Sequence, residues 1–178
     1  MRRGYQISQV ETAHRKRTAV SSLLIFIAIP AVIILGFTLF NDRKYILVSW
    51  MILAMTVAPF FMVFEKRKPK AREIVLIAMM CALTLCVQLL CRMTIAIRAG
   101  TAIIIASGIA LGPEAGFLIG ALSRFVLNFY EGQGPWTPWQ MFSYGMIGYL
   151  AGILFQKGIL KARKVDLCIY GFLSVFLI

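Results

Sequence analysis

Apolar residues run along this chain in blocks of membrane-crossing length, separated by short polar and basic segments. Residues 1–17 are polar and carry Arg2, Arg3, Arg15, Lys16 and Arg17. The apolar run from Thr18 to Phe40 exceeds the about 20 residues that a helix needs to cross a bilayer. Pro30 inside it predicts a kink. Asn41-Asp-Arg-Lys44 turns the chain into a second run, Tyr45 to Phe64. The stretch Glu65 to Glu73 holds five basic residues and marks the clearest internal boundary. It separates an N-terminal part, 1–71, from a core, 72–178. A third span runs from Ile74 to about Leu90, and Arg92 and Arg98 flank the polar break after it. The fourth run, Thr101 to Leu111, has 11 residues. At about 1.5 Å each these fall short of a hydrocarbon core of about 30 Å. Two solutions fit: a helix that starts nearer Thr94 with its arginines snorkelling, or a preceding segment that enters the membrane as a protein-buried loop.

Gly112-Pro113-Glu114 turns the chain again. Pro113 suits a first helical position, and Glu114 suits the positive end of a helix dipole. The fifth span is then Ala115 to Tyr130. After the loop Glu131 to Thr137, the segment Thr137-Pro-Trp-Gln140 has the form of a capping box, with Thr137 as N-cap and Gln140 three residues on. The sixth span is Pro138 to Phe155. A seventh run, Leu167 to Ile178, stops without a polar flank, so the core is expected to be truncated at its C-terminus. The pattern predicts an all-α integral membrane protein, a polytopic helical bundle whose core is preceded by two extra transmembrane helices.

Gly108, Gly112, Gly116 and Gly120 recur every fourth position, and Gly148 and Gly152 repeat that spacing later. On helices this places small residues on one face and lets a neighbouring backbone approach, which drives association inside a bilayer. The same stripe continues from Gly120 into Arg124, Asn128 and Glu131. An arginine within a span is costly and normally faces a cavity or a partner, which makes it a candidate functional residue.

Composition supports the membrane assignment: 60% of residues are hydrophobic and 15% charged, against roughly 45–50% and about a quarter in soluble domains. Mean hydropathy is +0.82. The net charge of +12 suggests a nucleic-acid partner at first. However, the basic residues sit in short runs between apolar stretches, and no base-reading motif accompanies them. Basic residues number five, five, none and four in the N-terminus, 65–73, 112–114 and 156–165. The opposite segments, 41–44, 91–100 and 131–137, carry two, two and none. The first set is therefore expected in the cytoplasm, with the N-terminus. Cys81, Cys86 and Cys91 step five residues apart and do not share a helical face, and His14 lies far from them in sequence. No metal site is expected.

Gln88, Arg92, Arg98, Arg124, Asn128, Glu131, Trp136, Trp139 and Gln140 fall at the outer ends of three helices. Amides, arginines and tryptophans gathered on one side suit a polar, planar or anionic small molecule. For Arg92, Arg98 and Trp139 the alternative is an interfacial role, as snorkelling cations and part of an aromatic belt. No phosphate-cradling glycine loop, no zinc-protease motif and no nucleophile elbow is present. No span contains a histidine.

The stretch Gly108 to Gly152 resembles the substrate-binding S components of energy-coupling factor (ECF) vitamin transporters. The features are Leu-Gly-Pro-Glu-Ala-Gly-Phe-Leu-Ile-Gly-Ala-Leu-Ser (111–123), Gly-Gln-Gly-Pro-Trp-Thr-Pro-Trp-Gln-Met (132–141) and Gly-Tyr-Leu-Ala-Gly (148–152). Ala78-x-x-x-Ala82 is similar to that family's small-residue docking motif. The resemblance implies a vitamin or precursor captured at the outer face, a coupling subunit that meets Ala78 and Ala82, and two separate ATP-binding subunits. It implies no cofactor and no catalysis in this chain, and a prokaryotic cell membrane as its location. An overall likeness to cobalamin-type S components favours a corrinoid substrate; flavin, thiamine and queuosine precursors are the alternatives. Two other functions fit a glycine-rich bundle: a membrane enzyme or assembly factor, and a stand-alone carrier.

Overall fold

The computed structural model describes residues 22–40, 47, 50–52, 54, 71–94, 99–174 and 176. Among them all regular structure is helical. After a π-helical turn, Leu24–Ala28, come α1 (Ile29–Phe40), α2 (Ala71–Thr94), α3 (Gly100–Leu111), α4 (Pro113–Glu131), α5 (Thr137–Gln156) and α6 (Lys164–Ser174). The basic N-terminus, most of the second expected span and the 65–70 linker lie outside the described residues, as do Arg98 and the side chain of Arg92.

Pro30 explains the π-helical turn. Its ring would clash with the carbonyl four residues back, and it has no N–H to donate. Widening the turn just before it accommodates both. Residues 72–91 of α2 are long and apolar enough to cross a membrane. The helix is longer at both ends than the apolar run, because Arg72 and Arg92 belong to the same continuous helix. Helix α3 begins at Gly100, not back at Thr94; the expected re-entrant segment falls on 95–98, which lie outside the described residues.

Helices α3, α4 and α5 meet at their glycines. A Cβ built on Gly116 would lie 2.6 Å from Gly108 Cα and 2.7 Å from the Gly148 carbonyl oxygen. On Gly152 it would lie 2.7 Å from Pro113 Cα. Gly120 faces the backbone of Tyr144 and Gly145 in the same way. Gly112 departs from the expected packing stripe. It sits in the turn at φ 101° with nothing within 4 Å of a built Cβ, and its N–H closes α3 on Gly108 O at 3.2 Å. The every-fourth-residue pattern therefore spans two antiparallel helices joined at a left-handed glycine, and the two sides of that turn pack on each other through α5.

Around this contact sit Phe117, Ala121, Phe125, Met141, Met146 and Tyr149, all buried. The N-terminal helix closes over them. Ile25, Ile29, Ile33 and Ile52 join the same cluster, Trp50 stacks edge-on against Phe125 at 5.3 Å, and Ser22 shares a hydrogen bond with the Tyr149 hydroxyl at 2.7 Å. Across the bundle α2 packs through Ile77 and Cys81 onto Ile104, Leu118 and Tyr144. Helix α6 is tied down by Tyr170, whose hydroxyl donates to Ile147 O at 2.7 Å.

Candidate functional site

Short connections join α2 to α3 and α4 to α5, so the C-terminal ends of α2 and α4 and the starts of α3 and α5 share one end of the bundle. Arg124 lies two turns before the end of α4 and is 6% exposed. Its Nε donates to Gln140 Oε1 at 3.0 Å and its Nη2 to Glu131 Oε2 at 2.8 Å. The guanidinium lies over the Tyr144 ring, 5.3 Å from its centroid. Seven residues of helix separate Arg124 from Glu131, and both side chains bend to meet. Glu131 leans back toward the helix N-terminus, as helical side chains do, and the length of Arg124 spans the remainder. The pair also offsets a carboxylate standing at the negative end of the α4 dipole.

Asn128, fully buried, is the second hub. Its Nδ2 donates to Thr137 Oγ1 at 3.1 Å and to Gln140 Oε1 at 3.0 Å. Thr137 Oγ1 also accepts Gly134 N at 3.2 Å, and Gln133 Nε2 donates to Phe125 O at 3.3 Å. The expected capping box is thus not formed. Thr137 is the first helical residue and Trp136 precedes it as a cap without a side-chain bond. The threonine hydroxyl and the glutamine amide are both taken by α4 and the loop, where the partners are buried and charged or amide-bearing.

The structure brings Arg124, Asn128, Glu131 and Gln140 into one network. Gln88 is buried on α2 beside Gly100, whose missing Cβ makes the room its side chain occupies. Trp136 and Trp139 are largely exposed at the rim, and the Trp136 ring lies on Gly134. Three participants had no role in the sequence reading: Thr137 as a hub, Tyr144 and Thr101. Tyr144 follows Gln140 by four residues and Thr137 by seven, a helical stripe that continues the site onto α5. Thr101 opens an apolar run beside a glycine, a position that sequence alone does not separate from an ordinary helix start.

The network is lopsided. Among the described residues, Gln88 Oε1, Thr101 Oγ1, Asn128 Oδ1 and Gln133 Oε1 are buried side-chain atoms without a hydrogen-bond partner. Leaving such an atom unsatisfied costs about 1–3 kcal/mol. Asn128 and Gln133, by contrast, use their amide nitrogens within the protein. The amide oxygens among them can accept from a molecule that brings N–H or O–H groups.

On the opposite part of α2, Ala78 and Ala82 are exposed. They share an open apolar face with Val75, Met79 and Leu83, which are each at least half exposed.

Residues 68–178 match the family described as ECF-type riboflavin transporter, S component. No curated protein and no solved structure matches the chain. The match is to a riboflavin-type family, and the corrinoid expectation gains no support from it.

Proposed function

Because this chain belongs to the S-component family of ECF-type riboflavin transporters, a family of integral membrane substrate-binding subunits and not of enzymes, we propose that it captures riboflavin, or a close flavin, for import. The single observation that supports the substrate, beyond the family, is the surplus of buried acceptor oxygens at one end of the bundle. An isoalloxazine ring presents an imide N–H and its sugar-alcohol chain presents hydroxyls, so riboflavin carries the donors that these oxygens lack. The planar ring suits an end of the bundle that carries the exposed rings of Trp136 and Trp139.

On this reading Gln88, Thr101, Asn128 and Gln133 contact the ligand, while Arg124, Glu131 and Gln140 hold Asn128 in place. Arg92, in the last turn of α2, belongs to the same end. The distribution of basic residues supports placing that end outside a prokaryotic cell membrane and the N-terminus in the cytoplasm. Ala78 and Ala82 then form the surface for a membrane coupling subunit, which works with two ATP-binding subunits. Their exposure and small size support this role, since close helix approach needs both.

Purification of the full chain in detergent followed by mass spectrometry of the small molecule it carries tests the substrate. Titration with riboflavin, followed by quenching of flavin fluorescence, provides the affinity. Recovery of a corrinoid or thiamine, with no quenching by riboflavin, would replace the flavin assignment while leaving the transport role intact.

A further inference from the structure

At the end of the bundle opposite the polar network, the chain leaves α5 through a turn that mixes basic and apolar residues. Gly158, at φ 72°, closes the helix. Its N–H donates to Phe155 O, and the N–H groups of Ile159 and Leu160 both donate to Leu154 O, each at 3.0 Å. This left-handed closure satisfies the last helix carbonyls and makes the turn rigid. Leu160 is buried against Ile105, Ile147 and Ala151, while Ile159 beside it points outward, 68% exposed. Lys157 stands two residues before Ile159 and Lys161 two after; Arg163 and Lys164 lead into α6, and all four are exposed. Among the described residues none of the four forms a side-chain hydrogen bond or ion pair. Residues 156–166 hold one acid, Asp166. Further along α6, Val165, Ile169 and Phe172 share a face at helical spacing, each more than half exposed.

Clustered cations repel one another, and an exposed isoleucine held rigidly among them gains nothing from water. One partner relieves both: a phospholipid whose headgroup is anionic and whose acyl chains cover apolar side chains. An acidic protein or a nucleic acid would answer the cations only. Phe172 lies eight residues beyond Lys164, about 12 Å down the helix, where acyl chains reach and a soluble partner does not. We propose that the turn between α5 and α6 is a binding site for an anionic phospholipid. Lys157, Lys161 and Lys164 supply charge at headgroup level, Ile159 inserts beside them, and Val165, Ile169 and Phe172 carry an acyl chain. The site is independent of which vitamin is captured and of which side of the membrane this end faces.

The test uses the full chain, delipidated in a non-ionic detergent, with phosphatidylglycerol and phosphatidylcholine of matched acyl chains as probes. Native mass spectrometry counts retained lipid, and the melting temperature reports stabilisation. Phosphatidylglycerol is expected to bind at least about tenfold more tightly than phosphatidylcholine; equal binding overturns the proposal. Lys157→Gln/Lys161→Gln/Lys164→Gln should reduce that preference at least about fivefold. These side chains are exposed, so the variant is expected to fold. Lys66→Gln/Lys68→Gln/Lys70→Gln removes the same charge from the basic linker and should leave most of the preference. An equal fall in both variants would mean attraction to net charge alone and overturns the site. Ile159→Ser should weaken both lipids and leave their ratio unchanged; unaltered affinities remove Ile159 from the site. Glycerol 3-phosphate, a headgroup without chains, should not stabilise the protein. Stabilisation equal to that by phosphatidylglycerol would make this a site for a free anion and overturn the lipid assignment.

Discussion

Replacing Gly148 by alanine puts one methyl group where three helices touch. A Cβ there would lie 2.6 Å from the Gly116 carbonyl carbon and 3.0 Å from its Cα, and nearer still to the carbonyl oxygen. Carbon atoms pack at about 3.5–4.0 Å, so α4 and α5 must part by about 1 Å. The obstacle is backbone, which has no alternative rotamer. A radial gap of that size forfeits about a quarter to a half of each dispersion contact along the seam. Overpacking of this kind costs about 1–3 kcal/mol, and a backbone clash belongs at the upper end. Alanine returns about 1 kcal/mol through helix propensity, leaving a net loss of about 2 kcal/mol. Gly171 is the matched control, since a built Cβ meets nothing within 4 Å. Alanine there should be neutral or stabilising by up to about 1 kcal/mol. The two variants should therefore shift the melting temperature in detergent, followed by tryptophan fluorescence, in opposite directions. Riboflavin affinity should fall in Gly148→Ala, because the bonds from Arg124 and Asn128 to Gln140 and Thr137 span the same two helices. A Gly148→Ala protein that melts at or above the wild type would refute the argument that backbone contact at the glycines holds this bundle together.

Arg124→Gln should both destabilise the protein, by about 1.5–3 kcal/mol, since it removes a charged hydrogen-bond partner of Glu131, and weaken riboflavin binding at least about tenfold. Arg124→Gln/Glu131→Gln should recover most of the melting temperature; full recovery of affinity as well would make the ion pair purely structural. Leucine at both Ala78 and Ala82 should abolish uptake in cells while sparing riboflavin binding by the purified subunit, and unchanged uptake would remove this face from the coupling interface. Trp50→Ala should lower the melting temperature by the equivalent of about 0.5–1.5 kcal/mol beyond its buried area, the usual worth of an edge-to-face pair; Trp50→Phe should restore most of that.

Hydropathy located α4 and α5 to within a few residues, because Pro113 and Pro138 mark where each helix begins and the apolar runs between breaks are continuous. It also put Arg124, Asn128 and Glu131 on one stripe. It left open how two charges seven residues apart would behave, since rise along the axis argues against contact and only side-chain direction permits it. The capping box at Thr137 illustrates a different limit. Thr-x-x-Gln is a local pattern, but both side chains answer to Asn128 and Arg124 on another helix. The glycine repeat was legible as close packing, yet Gly112 was indistinguishable from its neighbours until the turn at φ 101° separated them. Nothing in the sequence of the first forty residues indicates that Ile25, Ile29 and Ile33 cover Phe117 and Tyr149 and do not simply face lipid, because both environments ask for the same side chains.

That covering helix has a consequence for the order in which the protein is made. Ser22 and Tyr149 are 127 residues apart in sequence. At about 5–20 residues per second, the first helix waits on the order of 6 to 25 s before its partner is synthesised. In water a row of isoleucines exposed for so long would invite aggregation. In a bilayer the acyl chains cover it at almost no cost, and only the hydroxyl contact and the aromatic edges distinguish lipid from the final neighbour. The membrane thus acts as a holding environment for the N-terminal helix, and the last closure of the bundle is a late event that waits for α4 and α5, whose residues share its cluster.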